Sequence, residues 1–266
     1  MLTAEQKCFY DTFGFLVFRR CFSSDETAEI IRLFDGVIEE ARHGKPFTGE
    51  RRQIVLGFVE QRPGLARLVE DDRIYAVIKE LLGPDFVWIT SDGNLYVGNT
   101  EWHPDAGRPT YHLIKVAFYL DPVREESGCL RVIPGSHREP FHSALKPLLK
   151  HRADPPEYPF GIPGEQIPAF PLVSDPGDIV LFNQALFHAS FGGSNHRRMF
   201  TLNFAARPTT DEDVALHRRL YDGHLRHQLN NPDGVKDHVY EPLFLDGSGG
   251  PRRRAMVQQL LEWGFK

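Results

Sequence analysis

The feature that most constrains this fold is a change of period near Phe86. Before it, apolar residues recur at helical spacing. After it, the chain breaks into short β-branched or aromatic runs bounded by Gly, Pro, Asn and Asp, at 86–90, 95–98, 112–120, 129–133, 178–182 and 198–206. Pro134-Gly135-Ser136 and Pro176-Gly177-Asp178 are turn signals between such runs. Many short strands joined by turns point to a sandwich or barrel. Preceded by helices, they point to a jelly-roll packed against helices on one face, so the expected class is mainly β with flanking helices.

The first third supplies those helices. Thr3-x-x-Gln6 has the form of a capping box for a helix over 3–12, and a strand is expected over 14–19. Ser23 or Ser24 caps a longer helix to about 42, with Ile31, Phe34, Val37 and Ile38 among its apolar positions. A third helix is expected over 72–82, ended by Gly83-Pro84. Residues 138–175 are Pro-rich and without clear period, and loops of that length in compact domains are usually functional or disordered. Phe141, Tyr158, Phe160 and Phe170 argue that this segment packs over the body as a lid or substrate wall. After a break at 247–250, a last helix is expected near 254–263. The expectation is one domain over 1–266: a helical part (1–84), a jelly-roll core (about 85–206) and a C-terminal extension (207–266).

Composition excludes several function classes. With 266 residues and a net charge of -5, the chain has no electrostatic case for nucleic acid or an anionic membrane as partner. It has no apolar run of 18 residues and no signal-peptide pattern at its start. Cys8, Cys21 and Cys129 are odd in number and widely spaced, which fits a reducing compartment. The expected setting is cytoplasmic, as a monomer or weak homo-oligomer acting on a small-molecule substrate.

The chemistry-bearing residues are dispersed. His103-Pro104-Asp105 is followed 85 positions later by His188, and nine after that by Arg197. Two imidazoles and one carboxylate on a shared rim form the facial triad that holds non-haem Fe(II) with three positions open. An arginine beyond the second histidine can clamp the far carboxylate of a keto-acid chelating that iron. H-x-D alone is weak in a chain with 12 His. Its context is stronger: the segment is extended, Pro104 rigidifies the turn, and residues i and i+2 share a face. Ser190 lies two residues beyond His188, on its face. In Arg197-Arg198-Met199-Phe200-Thr201-Leu202-Asn203-Phe204 the odd positions form the more polar face, so Arg197 is preferred to Arg198 as the clamp. His137-Arg138-Glu139 imitates the motif but is read as a turn element. No C-x-x-C pair, G-x-S-x-G elbow or Gly-rich phosphate loop is present.

These pieces together resemble a known family. LTAEQKCFYDTFGFLVFRRCFSSDE, WHPD, LDPVREESGCLRVIPGSH and GDIVLFNQALFHAS with its Arg-led strand resemble the phytanoyl-CoA dioxygenase family of Fe(II)/2-oxoglutarate-dependent oxygenases, from near residue 2 to about 206. The resemblance implies a double-stranded β-helix of cupin-like form. It implies Fe(II) on His103, Asp105 and His188, with 2-oxoglutarate chelating the iron and its distal carboxylate on Arg197 and Ser190. It implies use of O2, release of succinate and CO2, and hydroxylation of an unactivated C–H bond. Related halogenases carry a small residue in place of the carboxylate, so Asp105 speaks for hydroxylation. Pro104 departs from the family, where Gln is frequent, and this leaves the remaining cosubstrate contacts open. Lys115, Ala117 and Tyr119 share one strand face and are candidates for the site wall. Two other readings stand beside this one: a cupin-like metal enzyme that uses no 2-oxoglutarate, and a non-catalytic jelly-roll binding protein. The C-terminus, Trp-Gly-Phe-Lys, is not a peroxisomal signal, which favours a cytosolic hydroxylase over a peroxisomal acyl-CoA enzyme.

Overall fold

The structure, a computed structural model, describes residues 1–106, 109–193, 196–230 and 236–265. The helices are α1 (Ala4–Phe13), α2 (Ser24–Glu40), α3 (Pro63–Ala66), α4 (Asp72–Leu82), α5 (Phe141–Leu145), α6 (Asp211–Leu229), α7 (Pro242–Leu245) and α8 (Pro251–Glu262). The strands are β1 (Phe15–Phe18), β2 (Gln53–Leu56), β3 (Val87–Tyr96), β4 (Thr100–His103), β5 (Leu113–Tyr119), β6 (Leu130–Val132), β7 (Phe170–Leu172), β8 (Ile179–Asn183), β9 (His188–Ser190) and β10 (Arg197–Ala205). They form a six-stranded sheet, β1-β8-β5-β10-β3-β2, and a four-stranded sheet, β4-β9-β6-β7, antiparallel throughout. This is the double-stranded β-helix expected from the sequence.

Local chemistry explains the element boundaries. Thr3 and Ser23 each close a reciprocal capping box, with Gln6 and Glu26, and so start α1 and α2. The outward face of β10, Phe200, Leu202 and Phe204, packs with Phe34 and Val37 of α2, Ile78 of α4 and Leu260 of α8 in the main core. Phe118 of β5 stacks on Phe200 at 4.4 Å between centroids. A second cluster lies between the sheets, where Met199 meets Tyr119, Leu130 and Phe182.

Several elements differ from expectation. The runs 86–90 and 95–98 are one continuous strand, β3, paired on both sides. Its Ser-Asp-Gly-Asn middle reads as a turn in sequence. In the fold Asp92 and Asn94 hydrogen-bond to each other, and Gly93 lets the strand pass the Phe58 ring, which any Cβ would overlap. Residues 138–175 contain α5, a 3-10 turn over Lys146–Arg152, and β7. Leu148 and Ile167 of this segment cover one side of the small sheet, against Trp102, Phe187 and Phe191. Phe141, Tyr158, Phe160 and Phe170 remain exposed rather than packed inward. The 19-residue α6, started by a Thr210–Asp213 capping box, falls where no element was expected. The three cysteines are free. Among the described residues no helix is long and apolar enough to cross a membrane.

Candidate metal centre and its cavity

His103 ends β4 and His188 begins β9, and the two are direct cross-strand partners. Residues opposite one another in an antiparallel pair project from the same face, so the register itself brings the two imidazoles together. Their ring centroids stand 4.4 Å apart. Asp105 follows β4 by two residues and turns its carboxylate to both rings: Oδ1 is 3.8 Å from His103 Nε2 and Oδ2 is 3.6 Å from His188 Nε2. The three side chains offer one donor atom each, all within 4.8 Å of one another.

The protonation pattern suits a cation. His103 Nδ1 lies 2.7 Å from the Glu101 carbonyl and His188 Nδ1 lies 2.9 Å from the Leu186 carbonyl. A carbonyl can only accept, so each Nδ1 carries the proton and each Nε2 presents a lone pair to the shared space. Burial, then the neighbouring His188, lowers the His103 pKa to about 3, and burial lowers that of His188. Burial pushes Asp105 the other way, but the Lys115 charge beside it holds it below the usual carboxylate range. Two neutral imidazoles and one carboxylate are the donor set that ferrous iron accepts without being enclosed. Asp105 Oδ2 is buried without a hydrogen bond. Lys115 Nζ stands 2.8 Å from it as an ion pair, but its approach does not meet hydrogen-bond geometry. These residues fit a divalent metal.

Arg197 begins β10 on the inward face and is 3% exposed. Its Nε and Nη1 have no hydrogen-bond partner. Its guanidinium lies 5.0 Å from the Tyr96 ring centroid, and Cβ atoms at Gly128 or Gly193 would overlap Nη1. Gly128, at φ +86°, is therefore doubly required, by its backbone and by the arginine it leaves room for. A buried, unpaired guanidinium is costly unless a ligand satisfies it. Arg198, one residue on, faces the other way and donates to Asp121 at 2.7 Å and to Asp35 of α2 at 3.0 Å. Ser190 borders the cavity, and its hydroxyl donates to the Gly128 carbonyl at 2.8 Å. Lys115 is committed to Asp105, while Ala117 and Tyr119 line the same cavity. His137 lies elsewhere, with Nε2 3.3 Å from the Asp11 carbonyl of α1.

These groups surround a single cavity of about 380 Å³. The expected wall from the 138–175 segment is present through Arg152, and the cavity has further walls that the sequence reading missed: Arg52 and Ile54 at β2, Asp92 on β3, and Leu220 and His224 on α6. A hydrogen-bonded polar belt crosses its floor. Gln184 donates to Asn203 at 3.0 Å, Asn203 to Thr201 at 3.1 Å, Thr201 to Asp92, and Arg52 donates to Asn94, which bonds Asp92. One signal was available for α6: the capping box at Thr210 and Asp213, followed by Leu220, His224 and His227 at one-face spacing.

Comparison with known proteins decides the family. Residues 10–200 match the phytanoyl-CoA dioxygenase (PhyH) family. The chain belongs to that family. It is 26% identical over 226 residues to the ectoine dioxygenase of Sphingopyxis alaskensis, covering 72% of this chain and 71% of the relative. Among solved structures it is similar to HygX from Streptomyces hygroscopicus with nickel and 2-oxoglutarate bound. That likeness has a TM-score of 0.59 at 24% identity and covers 79% of this chain and 89% of HygX. The apo form of EctD from S. alaskensis superposes with a TM-score of 0.59 at 23% identity, over 91% of this chain and 83% of EctD. Membership in the PhyH family makes the chain an oxygenase of the non-haem iron and 2-oxoglutarate class.

Proposed function

We propose that the protein hydroxylates an unactivated C–H bond of a small organic substrate, with release of succinate and CO2. In this reading one domain spanning 1–266 carries the activity, and its C-terminal extension supplies a cavity wall through α6. His103, Asp105 and His188 hold Fe(II). Arg197, with Ser190 beside it, receives the distal carboxylate of 2-oxoglutarate. When bound, ferrous iron with the keto-acid supplies the O2 activation that no amino-acid side chain can perform.

The chain's own residues do the rest. The Glu101 and Leu186 carbonyls fix the two imidazoles in the tautomer that points Nε2 inward. Lys115 keeps Asp105 ionised and turned to the site. Tyr96, Gly128 and Gly193 confine the Arg197 guanidinium, so little conformational freedom remains to be lost when a carboxylate arrives. The sheets and α6 wall the cavity and leave it open at one mouth, so its inner charge interactions are less screened by water than those at the surface.

The observation that carries this reading is the buried Arg197 guanidinium with two unpartnered nitrogens, on the same cavity as a three-donor metal cluster. A binding protein has no use for both. The test is succinate release by iron-loaded protein under air. Iron- and 2-oxoglutarate-dependent succinate formation is expected, rising in step with a hydroxylated product once a substrate is supplied. Turnover without keto-acid consumption would reassign the protein to a cupin-like metal enzyme of another type.

A further inference from the structure

We propose that the substrate carries an anionic group, a carboxylate, phosphonate or phosphate ester, and that Arg152 anchors it at the cavity mouth. The proposal rests on the functional reading above and names the substrate class that site takes.

Among the described residues four cations border the cavity: Arg52, Lys115, Arg152 and Arg197. Three have an assigned partner. Lys115 pairs with Asp105 at 2.8 Å. Arg52 donates to Asn94 at 2.8 Å, lies 3.8 Å from Asp92 and covers the Tyr96 ring at 4.0 Å. Arg197 is buried and boxed for the cosubstrate. Arg152 makes no hydrogen bond or ion pair among the described residues. Glu101 and Glu165 share its edge of the fold, and neither comes within ion-pair distance. With the metal and the 2-oxoglutarate dianion cancelling, the described lining carries two unbalanced cationic charges: four cations against Asp92 and Asp105.

Arg152 itself is exposed, but the turn that carries it is anchored. Arg152 ends the 3-10 turn Lys146–Arg152, whose Leu148 and His151 are buried beside β4, the strand that carries His103. Arg152 and the three donors His103, Asp105 and His188 line the same cavity. An anion held on Arg152 therefore leaves the rest of the molecule in the cavity that the three donors face. The polar belt from Gln184 to Arg52 faces the same volume and suits a hydrophilic molecule better than an acyl chain.

The test uses full-length protein loaded with Zn(II) and 2-oxoglutarate, titrated with methylphosphonate and read by 31P line width. The neutral dimethyl methylphosphonate serves as control. Methylphosphonate is expected to bind and the diester not. Arg152→Ala should weaken methylphosphonate about tenfold, as loss of one charge-assisted pair does, and Arg152→Lys should restore part of it. Arg197→Ala should leave methylphosphonate binding in place while weakening 2-oxoglutarate. Equal binding of the diester, no binding of methylphosphonate, wild-type affinity in Arg152→Ala, or dependence on Arg197 instead would each overturn the assignment. Failure of the wild-type zinc protein to bind 2-oxoglutarate, measured in the same samples, would strike the functional reading itself.

Discussion

The two faces of β10 have the same backbone, the same partners in β3 and β5, and opposite tasks. Inward, Arg197, Met199, Thr201 and Asn203 look into the cavity. Outward, Phe200, Leu202 and Phe204 are wholly buried against the helices, with Arg198 at the edge of that core. The outward face is held by area: large apolar side chains removed from water, each with neighbours on every side. The inward face is held by saturation. Thr201 and Asn203 are hydrogen-bonded into the polar belt, and only Arg197 is left with unused donors. A strand can thus serve stability and chemistry at once because alternation keeps the two from competing for the same positions. One unit of register, Arg197 against Arg198, separates a ligand-ready guanidinium from a structural one.

The largest expected effect removes a charge from the inward side of the fold. Asp105→Ala should abolish turnover, because it deletes a metal donor and strands the Lys115 ammonium without its partner. The loss of metal affinity should exceed the roughly 100-fold that removal of an outer hydrogen-bond partner costs a metal site. Metal content after gel filtration and succinate release both read it. Full activity with stoichiometric iron would break the assignment of the triad. On the outward face, Phe200→Ala should cost about 3–5 kcal/mol of stability, measured by urea unfolding. In the surviving folded fraction, the 2-oxoglutarate requirement should hold. A large rise in that requirement would mean that the two faces are not independent.

Arg197→Ala tests the inward face at its one unsatisfied group. Charge-assisted hydrogen bonds contribute about 1.5–3 kcal/mol each, so the apparent requirement for 2-oxoglutarate should rise roughly 10- to 100-fold. Gly128→Ala should move the same quantity in the same direction without touching any charge. Its Cβ would occupy the place of Nη1, and its φ of +86° disfavours any side chain. If Gly128→Ala binds 2-oxoglutarate as the wild type does, the guanidinium is less confined than this geometry implies.

The contrast also explains what was legible beforehand. Alternation in β10 is strict over eight residues, and the preference for Arg197 over Arg198 rested on it alone. The capping boxes of α1 and α2 and the H-x-D segment are local and could be read directly. The partner of His103 was harder. β9 is three residues long and buried throughout, so it has no polar-apolar pattern to mark it, and its pairing with β4 is a fact of topology. β3 was split in two because Asp92, Gly93 and Asn94 have turn chemistry locally and a packing reason globally. The cavity's outer wall is legible only in part: the 138–175 segment reads as a wall without singling out Arg152, and nothing local marks Arg52 or His224 as its companions. α6 has a largely exposed, polar surface, so its apolar stripe is weak. Sequence patterns reveal what a segment does to its neighbours in the chain. They are silent on which residue of a far segment reaches a site.

The smallest expected effect is the most diagnostic for the comparison. Arg198 lies 28% exposed between Asp121 and Asp35, which are 34% and 50% exposed, so solvent screens both pairs. Such pairs contribute about 0–1 kcal/mol, and Arg198→Ala should lower Tm by no more than a few degrees. The 2-oxoglutarate requirement should not change, since the Arg198 guanidinium never enters the cavity. Arg197→Ala and Arg198→Ala measured side by side then form a matched pair: adjacent residues, identical chemistry, opposite faces. If Arg198→Ala raised the keto-acid requirement and Arg197→Ala did not, the inward face would not be the cosubstrate face. The unpartnered nitrogens of Arg197 would then need another occupant.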